Sequence, residues 1–112
     1  MTSFLNLSEL KEWETIPGYK VKFVHTRNMT IAYYDVKAGS PFPEHSHVNE
    51  QVSTIIRGKF ELVIEGESRI MTVGDVAVIP SGARHFGKAL TDCRIMDVFY
   101  PVREDYAGRF KS

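Results

Sequence analysis

Only one cysteine, Cys93, stands in the 112 residues, so no disulfide can form within the chain and a disulfide-stapled domain is excluded. An excess of charge of either sign is missing too, because fourteen Lys and Arg balance fourteen Asp and Glu. No bulk field draws such a chain to nucleic acid or to anionic lipid, and neither a nucleic-acid nor a membrane partner is expected. No apolar run approaches the ~20 residues that a membrane-spanning helix needs. The opening residues Met1 to Leu10 have no basic flank followed by an apolar stretch, so they do not read as a signal peptide. A cytoplasmic location is then the default. Helix signals are scarce. Asn6-Leu7-Ser8-Glu9 offers an N-cap with Glu three residues on, enough for one turn, which Pro17-Gly18 would stop. The charged tail from Arg103 to Ser112 is either a helical turn or frayed.

What the chain does have is short β-branched and aromatic runs cut at intervals by glycine and proline: Pro17-Gly18, Gly39, Pro41, Pro43, Gly58, Gly66, Gly74, Pro80 and Gly82. That pattern predicts an all-β sandwich or barrel. Strands are expected at about Tyr19–His25, Met29–Val36, His45–His47, Val52–Arg57, Lys59–Ile64, Arg69–Met71, Val76–Ile79, Arg84–Gly87 and Arg94–Tyr100. Glu65-Gly66-Glu67 reads as a hairpin tip and Arg57-Gly58-Lys59 as a second reversal. The length suits a single domain spanning residues 1–112.

Two spaced signatures stand out: Gly39-x5-His45-x-His47-x3-Gln51-x6-Gly58, over about 39–58, and Gly74-x5-Pro80-x-Gly82-x2-His85, within about 74–89. Residues two apart on a strand point to the same face, so His45 and His47 are expected to present both imidazoles together, with Gln51 at matching parity. The Pro80-Ser81-Gly82 turn sets where the strand of His85 begins, and a barrel can bring that strand alongside. Imidazole nitrogens with a carboxamide oxygen suit one divalent transition metal such as Zn, Ni, Fe or Mn. The metal ligands expected are therefore His45, His47, Gln51 and His85. His25 lies outside both signatures and reads as an ordinary strand histidine. Met29, Met71 and Met96 lie on separate strands and read as core filler, and Cys93 as a small buried hydrophobe.

Near the carboxy terminus Asp97 shares a strand face with Ile95 and Phe99. An acid among apolar neighbours is costly to bury, so it is either on a wet face or held in a pocket as a general acid/base. In the second case Phe99 walls the pocket. Arg103 is either an exposed member of a charged tail or a clamp that swings over the mouth and grips a carboxylate.

The two signatures resemble the paired motifs of the cupin superfamily, small jelly-roll barrels that usually bind one divalent metal. The family's usual glutamate is Gln51 here, and Ala89 stands where an asparagine often closes the second motif. Glu50 has the wrong parity to substitute. Four neutral ligands leave a divalent ion's charge uncompensated, which favours an anionic ligand. Within the cupins, His45-Ser46-His47-Val48-Asn49-Glu50-Gln51 and Asp97-Val98-Phe99-Tyr100-Pro101-Val102-Arg103-Glu104-Asp105 are similar to the pectin degradation proteins, which linearise 4,5-unsaturated uronates. Weaker likeness reaches upstream to Trp13-Glu14.

That resemblance implies a double-stranded β-helix barrel whose metal is held by His45, His47, Gln51 and His85. It places Asp97, Phe99 and Arg103 in the active site, and a small anionic sugar acid as substrate. It also implies a homodimer, which would hide a sheet edge. Two rivals stay open on the sequence. One is a metal-dependent dioxygenase, in which Asp97 and Arg103 have no obvious task. The other is a cupin that binds a sugar acid without turning it over.

Overall fold

A computed structural model describes residues 2–112. Ten strands run in order: β1 Trp13–Ile16, β2 Tyr19–His25, β3 Thr30–Val36, β4 Pro41–His45, β5 Glu50–Arg57, β6 Phe60–Ile64, β7 Glu67–Met71, β8 Val76–Ile79, β9 His85–Ala89 and β10 Cys93–Tyr100. They form two antiparallel sheets, ordered β1-β2-β3-β10-β5-β8 and β4-β9-β6-β7. This is the all-β jelly-roll barrel expected from the sequence. Among the described residues, no helix is long and apolar enough to cross a membrane.

Among the described residues, helix is confined to a 3-10 turn, Leu7–Glu9, and to α1, Glu104–Arg109. Asn6 caps the 3-10 turn by accepting from Ser8 N, as its position suggests. Pro17-Gly18 does not stop that turn, which already ends at Leu10. It forms instead the loop of an unforeseen hairpin in which Ile16 faces Tyr19, with Gly18 at φ 86. Four residues, Trp13 to Ile16, are too few to show a period by themselves. Glu65 and Gly66, at φ 47 and 80, make the expected two-residue tip between β6 and β7.

Further expectations change in the structure. The strand placed at His45–His47 is Pro41–His45, because a proline costs little on the edge of a sheet, where β4 lies. The reversal at Arg57-Gly58-Lys59 does not join paired strands, since β5 and β6 belong to different sheets and the chain crosses between them there.

The inward faces grade from apolar to polar along the barrel. Register aligns Val21, Tyr34, Ile95 and Ile55 in one row, and Phe23, Ala32, Asp97 and Ser53 in the next. The row after that reads His25, Thr30, Phe99, Gln51 and Ile79. One end is thus filled by a hydrophobic core that includes Val21, Phe23, Ile55 and Cys93, each at most 2 % exposed. The other end holds the chemistry. Met71 joins the core and Met96 is half-buried, whereas Met29 lies at the surface and fills nothing.

Gly58 makes the crossing possible, because it takes φ 89 and a Cβ there would strike Asp92 O and come within 2.8 Å of Thr91 Oγ1. Gly39 has a similar φ of 84 but open space around it. Gly39→Ala should therefore cost about 1 kcal/mol, the backbone penalty alone, and Gly58→Ala about 3 kcal/mol or more. Denaturant unfolding of the two variants checks this, and equal losses would contradict the close approach at Gly58.

Candidate metal and substrate site

His45 closes β4 and pairs across the ladder with His85, the first residue of β9, so register places their ring centroids 4.1 Å apart. His47 is not on the same strand, as parity had suggested. It lies past the end of β4, with its ring 5.4 Å from His45 and 5.1 Å from His85. One ligand atom from each of the three lies within 4.8 Å of the others. Gln51 comes from β5 in the opposite sheet, and its Oε1 is 3.1 Å from His47 Nε2. The bend at Val48-Asn49 breaks the strand, so the four residues converge from two sheets rather than along one.

Each of the three imidazoles is held in the same tautomer. Nδ1 of His45 bonds Pro43 O at 3.1 Å, that of His47 bonds Asn49 O at 2.9 Å, and that of His85 bonds Ala83 O at 2.9 Å. A carbonyl only accepts, so each Nδ1 carries the proton and each Nε2 keeps a bare lone pair. His85 Nε2 is buried with no hydrogen-bond partner. Gln51 Nε2 donates to Ser53 Oγ at 3.0 Å, which turns its Oε1 toward His47. Two lone pairs then face each other across 3.1 Å, an arrangement that a bound cation relieves. Burial, and then the charge of His85, lowers the His45 pKa to about 4, and burial also lowers those of His47 and His85. Neutral rings with bare Nε2 atoms are the ligating form, and the donor set fits a divalent transition metal.

Asp97 stands opposite Ser53 in the ladder, and Ser53 Oγ donates to its Oδ1 at 2.5 Å. It is 8 % exposed, on the inner face and not on a wet one. Burial raises its pKa to about 6 against the lowering pull of Ser53, Gln51 and Arg103. Phe99 is also inward, 5.6 Å from the His47 ring.

Arg103 is the N-cap residue of α1 and is 5 % exposed, so it is neither a tail arginine nor a swinging arm. Its guanidinium stacks 3.9 Å above the Tyr106 ring. Nε and Nη2 bond the two carboxylate oxygens of Asp105 at 3.0 and 2.7 Å, which occupies one edge of the fork. The edge formed by Nη1 and the outer proton of Nη2 remains for a ligand.

His45, Gln51, His85, Asp97, Phe99 and Arg103 line one cavity of about 580 Å³, open mouth included, together with Tyr19, Tyr34, Ser53 and Tyr106. His47 lies on the outer rim. Sequence reasoning missed Ser53, whose parity with Gln51 was a usable signal. It also missed Asn49, whose buried amide donates to Pro101 O at 2.6 Å and so ties the His47 loop to the segment leading into Arg103. No local pattern marks that contact.

A jelly-roll barrel with three convergent imidazoles defines the class of protein, and the chain belongs to the cupin family, whose cupin-domain description matches residues 32–99. Its relatives narrow the likeness. The chain is 29% identical over 98 residues to the pectin degradation protein KdgF of Dickeya dadantii, across 84% of this chain and 89% of that protein. The solved structure of KdgF from a Halomonas species superposes with a TM-score of 0.87 at 30% identity, over 94% of this chain and 98% of the other. An RmlC-like cupin from Shewanella frigidimarina superposes with a TM-score of 0.89 at 22% identity, over 95% and 96%, a likeness of fold alone.

The buried carboxyl carries a stability cost with a definite sign. Its folded pKa of about 6 lies above the ordinary 3.8, so the cost is absent at low pH and appears as pH rises through about 6. In chelator-treated protein, Asp97→Asn should be more stable than wild type by about 3 kcal/mol near pH 8, and the gap should close near pH 4. Thermal unfolding across that range checks it. A gap independent of pH would contradict the assignment.

Proposed function

We propose that this cupin is an enzyme that opens and tautomerises 4,5-unsaturated uronates, the monosaccharides left by polyuronate lyases in pectin or alginate breakdown. One observation carries the reading. A single cavity sets bare imidazole nitrogens and Gln51 beside a buried carboxyl, with a buried guanidinium offering one free edge. The likeness to two proteins named KdgF, one described as a pectin degradation protein, supports it.

The substrate carries a carboxylate on C5, a C4=C5 double bond and a hemiacetal at C1. Breaking the bond from C1 to the ring oxygen, with the C1 hydroxyl proton passing to that oxygen, gives an aldehyde and an enol, and moving a proton from the enol oxygen to C4 gives the ketone. Atoms and electrons balance with no oxidant, so the pocket has to anchor an anion and carry a proton. His45, His47, His85 and Gln51 would hold a divalent metal, whose charge would polarise the substrate's oxygens.

Asp97 carries the proton. A carboxyl near pKa 6 exchanges readily at neutral pH, and the Ser53 hydroxyl holds its orientation in both protonation states. Arg103 receives the substrate carboxylate on its free edge while Asp105 keeps the other edge fixed. Phe99 and Tyr106 keep water from the guanidinium and so strengthen that contact.

The test is the loss of ultraviolet absorbance of an unsaturated monouronate, followed against its spontaneous rate. Wild type should accelerate the loss and chelator should abolish the gain. Asp97→Asn should lower kcat by roughly 10²- to 10⁴-fold. Arg103→Ala should act chiefly on KM, raising it roughly tenfold to a hundredfold. A rate equal to the spontaneous one with metal-loaded wild type would overturn the reading.

A further inference from the structure

His25, which read as an ordinary strand histidine, has the reverse tautomer to the three cavity imidazoles. Arg103 N donates to Thr30 Oγ1 at 3.0 Å. An amide N–H only donates, so the hydroxyl proton of Thr30 is free to go to His25 Nδ1, 2.9 Å away. His25 then carries its ring proton on Nε2 and donates it to Phe110 O at 2.7 Å. The line has one direction, from Arg103 through Thr30 and His25 to Phe110.

The two ends of that line are the two ends of one element. Arg103 is the N-cap of α1 and Phe110 its C-cap. A helix of six residues has too few internal hydrogen bonds to fix itself, so what surrounds it must hold it. Arg103 gives its helix no side-chain cap bond. Thr30, fully buried on β3, and His25, directly opposite it on β2, hold both ends from a rigid ladder. Phe23 supports the ring from below, stacked 5.3 Å from His25 and 5.9 Å from Phe110.

From this arrangement we infer that Thr30 and His25 form a latch that holds α1 against the cavity and thereby positions Arg103 for an anionic ligand. Both are positioning residues. Neither lines the cavity, and both act through the backbone of the residue whose side chain does. The inference rests on the reading of Arg103 as the substrate clamp. It extends that reading by making the direction of the clamp depend on a hydroxyl and an imidazole on the strands behind it.

Thr30→Val keeps the shape and removes the hydroxyl, Thr30→Ser restores it, and His25→Phe keeps the stacking on Phe23 without the nitrogens. Amide hydrogen exchange on the full chain should rise at 103–110 by about fivefold or more in the Val and Phe variants, the worth of about one net hydrogen bond. It should stay unchanged in β5 and β10 and return toward wild type in the Ser variant. The Arg103 Nε–H resonance, set by its bond to Asp105, should shift in the same two variants.

With the unsaturated uronate, those variants should raise KM about fivefold while kcat changes less than about twofold, unlike the kcat loss expected of Asp97→Asn. Unchanged exchange in both variants would overturn the latch. Raised exchange with an unchanged KM would overturn its role in positioning Arg103. Should wild type not turn over uronates, the proposed function fails, and the exchange and the Arg103 resonance still decide the latch.

Discussion

Polar side chains buried at one end of a β-barrel have to satisfy one another, and here three of them do so in a line: Gln51 to Ser53, and Ser53 to Asp97. The line tolerates little change because each link has a fixed donor. Gln51 offers an oxygen toward the imidazoles and an N–H toward Ser53, and only a carboxamide does both. A glutamate at 51 would have no proton for Ser53, whose single hydroxyl proton would then stand between two carboxylates. The departure from the family's usual glutamate is thus coupled to the presence of Ser53 and of a buried acid at 97. It would also leave the charge of a divalent ion held there uncompensated by its ligands, in a cavity that Arg103 lines as well.

The apolar end of the barrel makes this line affordable. Tightly packed residues such as Val21, Phe23 and Ile55 supply the burial that offsets a carboxyl held near pKa 6. A chain selected only for stability would not keep Asp97 there, since an asparagine retains the acceptor for Ser53 without the charge. A buried acid in a cavity is for that reason a candidate functional group. At the cavity's other side the C-terminal segment closes the site through packing on Phe23 and hydrogen bonds to Thr30 and His25.

How far the sequence foretells this depends on the range of the interaction. The barrel was readable because alternation and turn residues are local, as in Phe60, Leu62 and Ile64 and in the Glu65-Gly66 tip. His85 was readable as the start of a strand because the Pro80-Ser81-Gly82 turn comes just before it, whereas His45 closes its strand instead of opening it. Parity grouped Asp97 with Ile95 and Phe99 but did not decide whether that face was wet. Parity failed for His47 and Gln51, since it counts only within a strand and the bend at Val48-Asn49 resets it. The structure brings the four residues together, by a route that parity does not describe. Asn49, Thr30 and His25 were unreadable as site supports because their partners in the C-terminal segment lie 52 or more residues away. The short helix gave no signal beyond a charged tail, because tertiary contacts and not propensity make it.

The chemistry of the cavity turns on whether the convergent imidazoles hold a metal. The most direct measurement is the metal content per chain of protein purified from metal-supplemented culture, by elemental analysis, for wild type and for His85→Ala. About one equivalent of a divalent transition metal in wild type, lost in the variant, is the predicted result. A wild-type chain that carries none, or a variant that keeps its full equivalent, would contradict it.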